Sequence, residues 1–330
     1  MKRLDPFLMC LIGAVLLASF LPCPTIWQPW LSRLTSLLIM LMFFFQGAKL
    51  HRRALLDSVK NWRLQGITLL ITFLVFPLLG IGLYGLSHQL SATGFLGPEL
   101  WAGMLFLCCL PSTIQSSIAL TSMARGNVPA AICAATVSNI LGIFITPLLC
   151  GLFFDHNSGG GSGLQTILNV AEELLLPFIL GQCVQRWMGP IVHRHKFLIS
   201  CSDRGSIIVL VYSAFSTAVL QGLWHRIPVI LLIGVGVADA IVLALALSIT
   251  YLLGRMMRQS IEDDITLQFC GSKKALTSGV TMASVIFPTS AGIIVLPLMI
   301  YHQLQLFVCT VIARHYARRP QLDHEAGTPQ

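Results

Sequence analysis

Long apolar stretches alternate with short polar ones along nearly the whole chain. Ten runs, at about 6–22, 32–49, 63–87, 100–124, 128–153, 164–186, 206–222, 228–254, 264–287 and 290–313, are bounded by charges, prolines and glycines. A helix of roughly 20 mainly apolar residues crosses a bilayer. The pattern therefore predicts an all-α polytopic membrane protein with ten transmembrane helices. Composition agrees, since 55% of residues are hydrophobic and only 10% charged, too few polar side chains for a water-facing surface. The opening "MKRLDPFLMCLIGAVLLASFLPC" is basic, then apolar, like a secretion signal. Pro22 in the would-be cleavage region and Asp5 among the leading charges argue for a retained first span.

The net charge of +8 would suggest nucleic acid in a soluble chain, but its placement assigns it to the bilayer. Seventeen of the 21 Lys and Arg residues fall at the ends or in the even-numbered loops, among them Arg52, Arg125, Arg204 and Arg255. By the positive-inside rule both termini are cytoplasmic, which requires an even number of spans. Ten fits. The ten cysteines form no CxxC pair and no His stands at ligand spacing, so they read as small buried hydrophobes; no cofactor or metal is expected.

The polar stretch 156–163, within "DHNSGGGSG", reads as a flexible linker between two five-span halves, 1–155 and 164–314, followed by a disordered cytoplasmic tail at 315–330. An odd number of spans per half makes the second half enter from the opposite side, so any repeat is inverted. A faint internal echo supports one: "CLPSTIQSSIA" (109–119) lies over "CGSKKALTSGV" (270–280), and "ITPLL" (145–149) over "VLPLM" (295–299). Pro111 in run 4 and Gly271 with Ser272 in run 9 are the expected break points. Broken helices at matching places in inverted halves mark a midplane binding site, because half-helix N-termini attract anions and exposed carbonyls hold cations.

Lys273 and Lys274 sit together inside run 9. A central Lys costs about 2.5–3.5 kcal/mol, so the pair costs roughly 5–7 kcal/mol unless solvated or paired. Neighbours on a regular helix diverge by about 100°, and a break beside them lets both reach polar surroundings. One lysine can lie on the carbonyls that end the first half-helix, as a tethered cation in the place of a free ion. The other can face a cavity and pair with an anionic substrate. The alternative, two snorkelling lysines, needs the span shifted by about seven residues toward an interface, which Glu262, Asp263 and Asp264 just before it oppose.

The same site would be lined by Ser112, Thr113, Gln115, Ser116, Ser117, Thr277 and Ser278, with Thr136, Ser138 and Asn139 of run 5 alongside. Each of these also serves as an ordinary interhelical hydrogen bonder. Asp239, alone in run 8, is either a charge partner for a lysine or a hydrogen-bonded structural carboxylate. No HExxH, GxSxG or GxGxxG is present, and an enzyme is not expected.

At "FFFQGAKL", "LPSTIQSSIALTSMARGN", "SNILGIFITPLL" and "FCGSKKALTSGVTMASVIFP" the chain resembles the bile acid:sodium symporter superfamily, in the outlying branch that holds YfeH-type proteins and the seventh member of the human family. The resemblance runs over about residues 4–314. It implies a ten-helix inverted-repeat fold in which a panel (runs 1, 2, 6 and 7) packs on a core (runs 3–5 and 8–10), with runs 4 and 9 unwound and crossing. It also implies where sodium ligands would fall: Ser116 matches one and Ser117 replaces an Asn. Ala131 and Ala135 stand at hydroxyl positions, Phe269 at a Glu and Lys273 at a Gln. Losing a carboxylate and gaining an ammonium repels sodium, which leaves coupling to a sodium ion or a proton open.

The expected function is secondary active transport of a small organic anion by alternating access, embedded in lipid and without nucleic-acid partners. Oligomeric state is not specified by the sequence. The alternative is a membrane regulator that senses a ligand without net transport.

Overall fold

The computed structural model describes residues 6–49, 62–89, 93–154, 171–222 and 228–319. Among these residues the chain is helical with no strand. The linker at 156–163 and residues 320–330 of the tail lie outside the described residues, as do Lys2, Arg3, Arg52, Arg53 and Lys60.

The elements are α1 (Pro6–Phe20), α2 (Gln28–Lys49) and α3, which joins Trp62–Leu70, Ile71–Val75 and Phe76–Gln89. Then come α4 (Thr93–Cys109), α5 (Gln115–Met123), α6 (Val128–Phe154) and α7, which joins Ala171–Leu175 and Leu176–Cys183. The rest are α8 (Gln185–Arg194), α9 (Lys196–Leu220), α10 (Val229–Met257), α11 (Ile261–Ser272), α12 (Leu276–Ile286) and α13 (Ala291–Ala317). Among the described residues six helices are long and apolar enough to cross a membrane: Gln28–Ala48, Trp62–Leu86, Val128–Phe154, Cys201–Leu220, Ile230–Met257 and Ala291–Ala317. Met9–Phe20 and Leu96–Cys109 are shorter apolar helices.

Runs 4 and 9 each become two helices, α4 with α5 and α11 with α12. Run 7 differs from its expected start at 206, because α9 already begins at Lys196. Residues 196–205 contain no proline and a single glycine, so nothing there stops the helix from extending beyond the apolar stretch. At the other end of the chain, α13 continues to Ala317, so the first residues expected in the tail are helical.

Local chemistry sets several boundaries. Ser260 caps α11 by accepting from the Asp263 amide at 3.2 Å, and Glu262, Asp263 and Asp264 occupy its first turn, where the helix dipole favours acids. In α3 the turn at Ile71–Val75 is widened, and the Phe76 N–H reaches Ile71 O rather than Thr72 O. In that register the next donor would be residue 77, a proline, which has no N–H. The Thr72 carbonyl is thus released from the helix ladder.

The helices pack in two groups. In one, α2 lies on α7, α8 and α9, and α1 lies on α9; in the other, α4 packs on α3 and α13, and α10 on α11 and α13. The groups meet chiefly where α9 runs along α12 and α13. At one such meeting Gly292 leaves no room for a side chain, since a Cβ there would lie 2.6 Å from Ala214 O. Trp27 just before α2 and Trp30 in its first turn, with Trp62 and Trp187 at the ends of α3 and α8, are exposed, as expected of aromatic side chains at the two faces of a bilayer.

Candidate functional site

The two interrupted runs meet at their breaks. Between α4 and α5 the chain unwinds at Pro111, which seats against Gly142 of α6; a Cβ on Gly142 would fall 2.6 Å from the proline ring. Between α11 and α12 the backbone is extended at Lys273 and Ala275. The expected break at Gly271 and Ser272 is displaced: α11 holds its helical form through Ser272 and yields only at Lys273. The orphan carbonyl of Ser272 is taken by the Tyr301 hydroxyl at 2.8 Å, so the helix can end there without an unpaired acceptor.

Several other freed main-chain groups around the breaks are also paired. The Ala275 N–H donates to Pro111 O at 2.9 Å, which ties one break to the other. The side-chain amide of Gln305 grips Lys274 at two points, accepting from its N–H and donating to its carbonyl, each at 2.9 Å. Ser138 Oγ accepts from the Ser112 amide at 3.0 Å, and Asn139 Nδ2 donates to the Ser112 carbonyl. Ser112 Oγ donates to Cys270 O at 2.6 Å, and Ser117 Oγ to Phe269 O at 3.3 Å. Thr146 Oγ1 donates to Cys109 O at 2.8 Å. Irregular backbone inside an apolar body calls for such pairing, or for a polar cavity to face.

Lys274 closes the seam. An ammonium has three donors, and this one spends them on three carbonyls: Leu110 O at 2.7 Å, Cys108 O at 2.9 Å and Thr72 O at 3.0 Å. Two of these end α4 and the third is the carbonyl that Pro77 released in α3. The Phe76 ring covers the remaining side, 4.0 Å from Nζ to its centroid. Lys273 is as deeply buried but differently placed. Its ammonium lies near the Cys270 and Cys309 thiols and has no hydrogen-bond partner among the described residues.

Beside the crossing lies a cavity of about 680 Å³. Thr113, Gln115, Ser116, Thr136, Asn139, Thr277 and Ser278 line it, while Ser112, Ser117, Ser138, Lys273 and Lys274 stay behind its wall. Ser278 Oγ donates to Asn139 Oδ1 at 3.1 Å, joining the polar rows of α12 and α6. Asp239 is buried in α10 beside Tyr301 and Cys108. Neither of its oxygens has a hydrogen-bond partner among the described residues, so it binds neither lysine here. The first turns of α5 and α12 both reach the cavity, and neither helix has a side-chain cap on its N-terminus.

Several residues that build this site escaped the sequence reading. Gln305 and Tyr301 belong to "YHQLQ", a polar cluster inside run 10 that was a readable signal. Thr72 contributes only its carbonyl, which no residue type announces. Arg204 counted as a loop charge, yet it lines the cavity.

A family model described as the SBF-like CPA transporter family matches residues 5–318. The chain belongs to the SBF-like CPA transporter family. This is a family of transporters, not enzymes, and the resemblance drawn from the crossover motifs holds. Among its relatives, an uncharacterized protein of Pseudomonas aeruginosa is 49% identical, with 96% of this chain and 93% of that one covered. The putative symporter YfeH of Escherichia coli is 44% identical, covering 97% of this chain and 95% of its own. Sodium/bile acid cotransporter 7 of Danio rerio is 26% identical, covering 84% and 82%. Membership in this transporter family implies a small-molecule substrate and a place in the membrane.

Proposed function

We propose that this SBF-like protein is a secondary transporter of an organic anion, working by alternating access in the bacterial inner membrane with both termini cytoplasmic. The ten apolar runs cross as two inverted five-helix repeats, 1–155 and 164–314, joined by the linker at 156–163. The observation that carries the reading is the pairing of the two breaks, Ala275 N–H on Pro111 O, at the wall of a cavity.

The substrate reading follows from what faces that cavity. The uncapped N-terminal turns of α5 and α12 present main-chain N–H groups and the positive ends of their dipoles, which favour an anion. Thr113, Gln115, Ser116, Thr136, Asn139, Thr277 and Ser278 supply hydrogen bonds to orient it, and Ser112, Ser117 and Ser138 brace the backbone behind them. The coupling reading follows from Lys274. Its ammonium occupies a nest of three carbonyls, the ligand type that would hold a free cation, so no sodium ion is needed at the crossing. Phe269 and Lys273, standing where the resemblance puts sodium ligands, point the same way. Lys273, whose ammonium has no hydrogen-bond partner among the described residues, is the group expected to change its surroundings during the cycle.

Alternating access requires the helix groups to part on one side as they close on the other. Here the cavity is lined near the ends of α1, α2 and α9 that carry the basic loops, while Gly292 and Ala214 are in contact toward the opposite side. This is the arrangement of a form open to the cytoplasm.

The test begins with the melting temperature of the purified protein in sodium chloride against choline chloride at equal ionic strength. A bound ion at twenty times its Kd would stabilise by about 1.8 kcal/mol. No sodium-specific rise is expected, and such a rise would overturn the built-in cation. Counterflow of carboxylates and sulfonates in proteoliposomes tests transport itself. A compound that raises the melting temperature but is never exchanged would make the protein a sensor instead.

A further inference from the structure

The crossover lysines cannot be what meets an anion in the cavity, because Lys274 has spent its donors on carbonyls and both lysines lie behind the wall. We propose that Arg204 of α9 recognises the substrate's acid group, and that the substrate is an amphipathic organic acid bridging the two helix groups. This rests on the reading of the cavity as the substrate site.

Arg204 is the one lysine or arginine among the described residues that line the cavity. Its side chain is exposed. The guanidinium stacks on the Phe7 ring at 5.7 Å, which holds it against α1, and it makes no hydrogen bond or ion pair with a described residue. The planar fork is therefore available for bidentate contact with a carboxylate or sulfonate. The lining also includes the apolar Met42, Phe178, Ile207 and Leu306, which suit an apolar part of the ligand. Across the cavity stand the hydroxyls and uncapped N–H groups of α12, on the other helix group.

A ligand that touches Arg204 at one end and Thr277 or Ser278 at the other links elements that must move relative to each other. Binding energy is then available only when both groups are in place, which ties occupancy to closure. Asp203 and His302 line the same cavity. The Asp203 carboxylate opposes the field of Arg204 and sets how strongly an anion is preferred over a neutral analogue.

The experiment reads that field on the empty cavity of the full-length protein in nanodiscs. Ala119, exposed on the cavity wall and outside the proposed hydrogen-bonding set, is replaced as a reporter, Ala119→Cys. Its modification rates by methanethiosulfonate reagents bearing a sulfonate or a trimethylammonium are compared, with peptide mass separating it from the native cysteines. The sulfonate-to-ammonium ratio is expected to fall about tenfold on adding Arg204→Gln. It should stay within about twofold with Arg204→Lys, and rise with Asp203→Asn. A ratio unchanged by Arg204→Gln overturns the proposal and leaves the helix N-termini as the anion-attracting groups. Failure of the transport reading would instead appear as absent counterflow with the Arg204-dependent ratio intact.

Discussion

The fourth and ninth apolar runs both unwind near the middle, but for different reasons. At Pro111 the interruption is written into the covalent chain: the ring fixes φ and removes a donor. Around it Ser138, Asn139 and Thr146 of α6 satisfy what is left open. Between Ser272 and Leu276 there is no proline. There the extended form is held from outside, by the two-point grip of Gln305 on Lys274 and by capture of the Lys274 ammonium on three carbonyls. One break is imposed locally and mended by tertiary contacts, and the other exists only because of them. The same contrast separates the two lysines, one fully coordinated and its neighbour without a hydrogen-bond partner among the described residues.

The sharpest way to break this comparison is Lys274→Met. It leaves three buried carbonyls without their donor, and a loss of about 3–5 kcal/mol is expected, read as a fall in melting temperature. A variant as stable as the parent would mean that the nest does not hold the crossing together. Gln305→Ala comes next, at about 2–3 kcal/mol, because it orphans one donor and one acceptor of the Lys274 main chain; guanidinium-free thermal unfolding in detergent measures it.

Pro111→Ala should cost only about 1 kcal/mol or less, since the hydrogen bonds from α6 persist and the new amide lies just past the end of α4. If it costs more than Gln305→Ala, the two breaks do not differ in the way described. The smallest effect belongs to Lys273→Met. Replacing an ammonium without a partner by an apolar side chain of similar length is expected to change stability by less than about 1 kcal/mol, or to raise it. Loss of counterflow in that variant at full stability would assign Lys273 a task in the transport cycle rather than in the fold.

Much of this was legible in the linear chain. Run lengths and the alternation of basic loops depend on bilayer thickness and on the cost of moving charge, which act residue by residue. The polar rows Thr113–Gln115–Ser116 and Thr277–Ser278 stood out because such residues are conspicuous in an apolar run, and the structure brings both to one cavity. The position of the second break did not follow from local propensity. Gly271 is a weak helix former, yet α11 runs through it because the end of that helix is decided by Tyr301 on the Ser272 carbonyl, from another helix altogether. Arg204 was misplaced for a related reason. A charge just ahead of an apolar run looks like loop, and only the continuation of α9 from Lys196 carries it into the cavity wall.

By itself the sequence determined that this is a helical membrane protein, that two of its apolar runs carry polar interruptions, and that two ammonium groups must be reconciled with a dry interior. Each of these is a matter of transfer free energy, additive along the chain. Only the tertiary structure decided how the ammonium groups are reconciled. Pro77 frees the carbonyl of Thr72, and packing brings it within 3.0 Å of Lys274, 202 positions away, while Lys273 next door receives no hydrogen-bond partner among the described residues. Hydrogen bonds are directional and short-ranged, so which of two identical side chains is satisfied depends on what other helices place within about 3 Å of it.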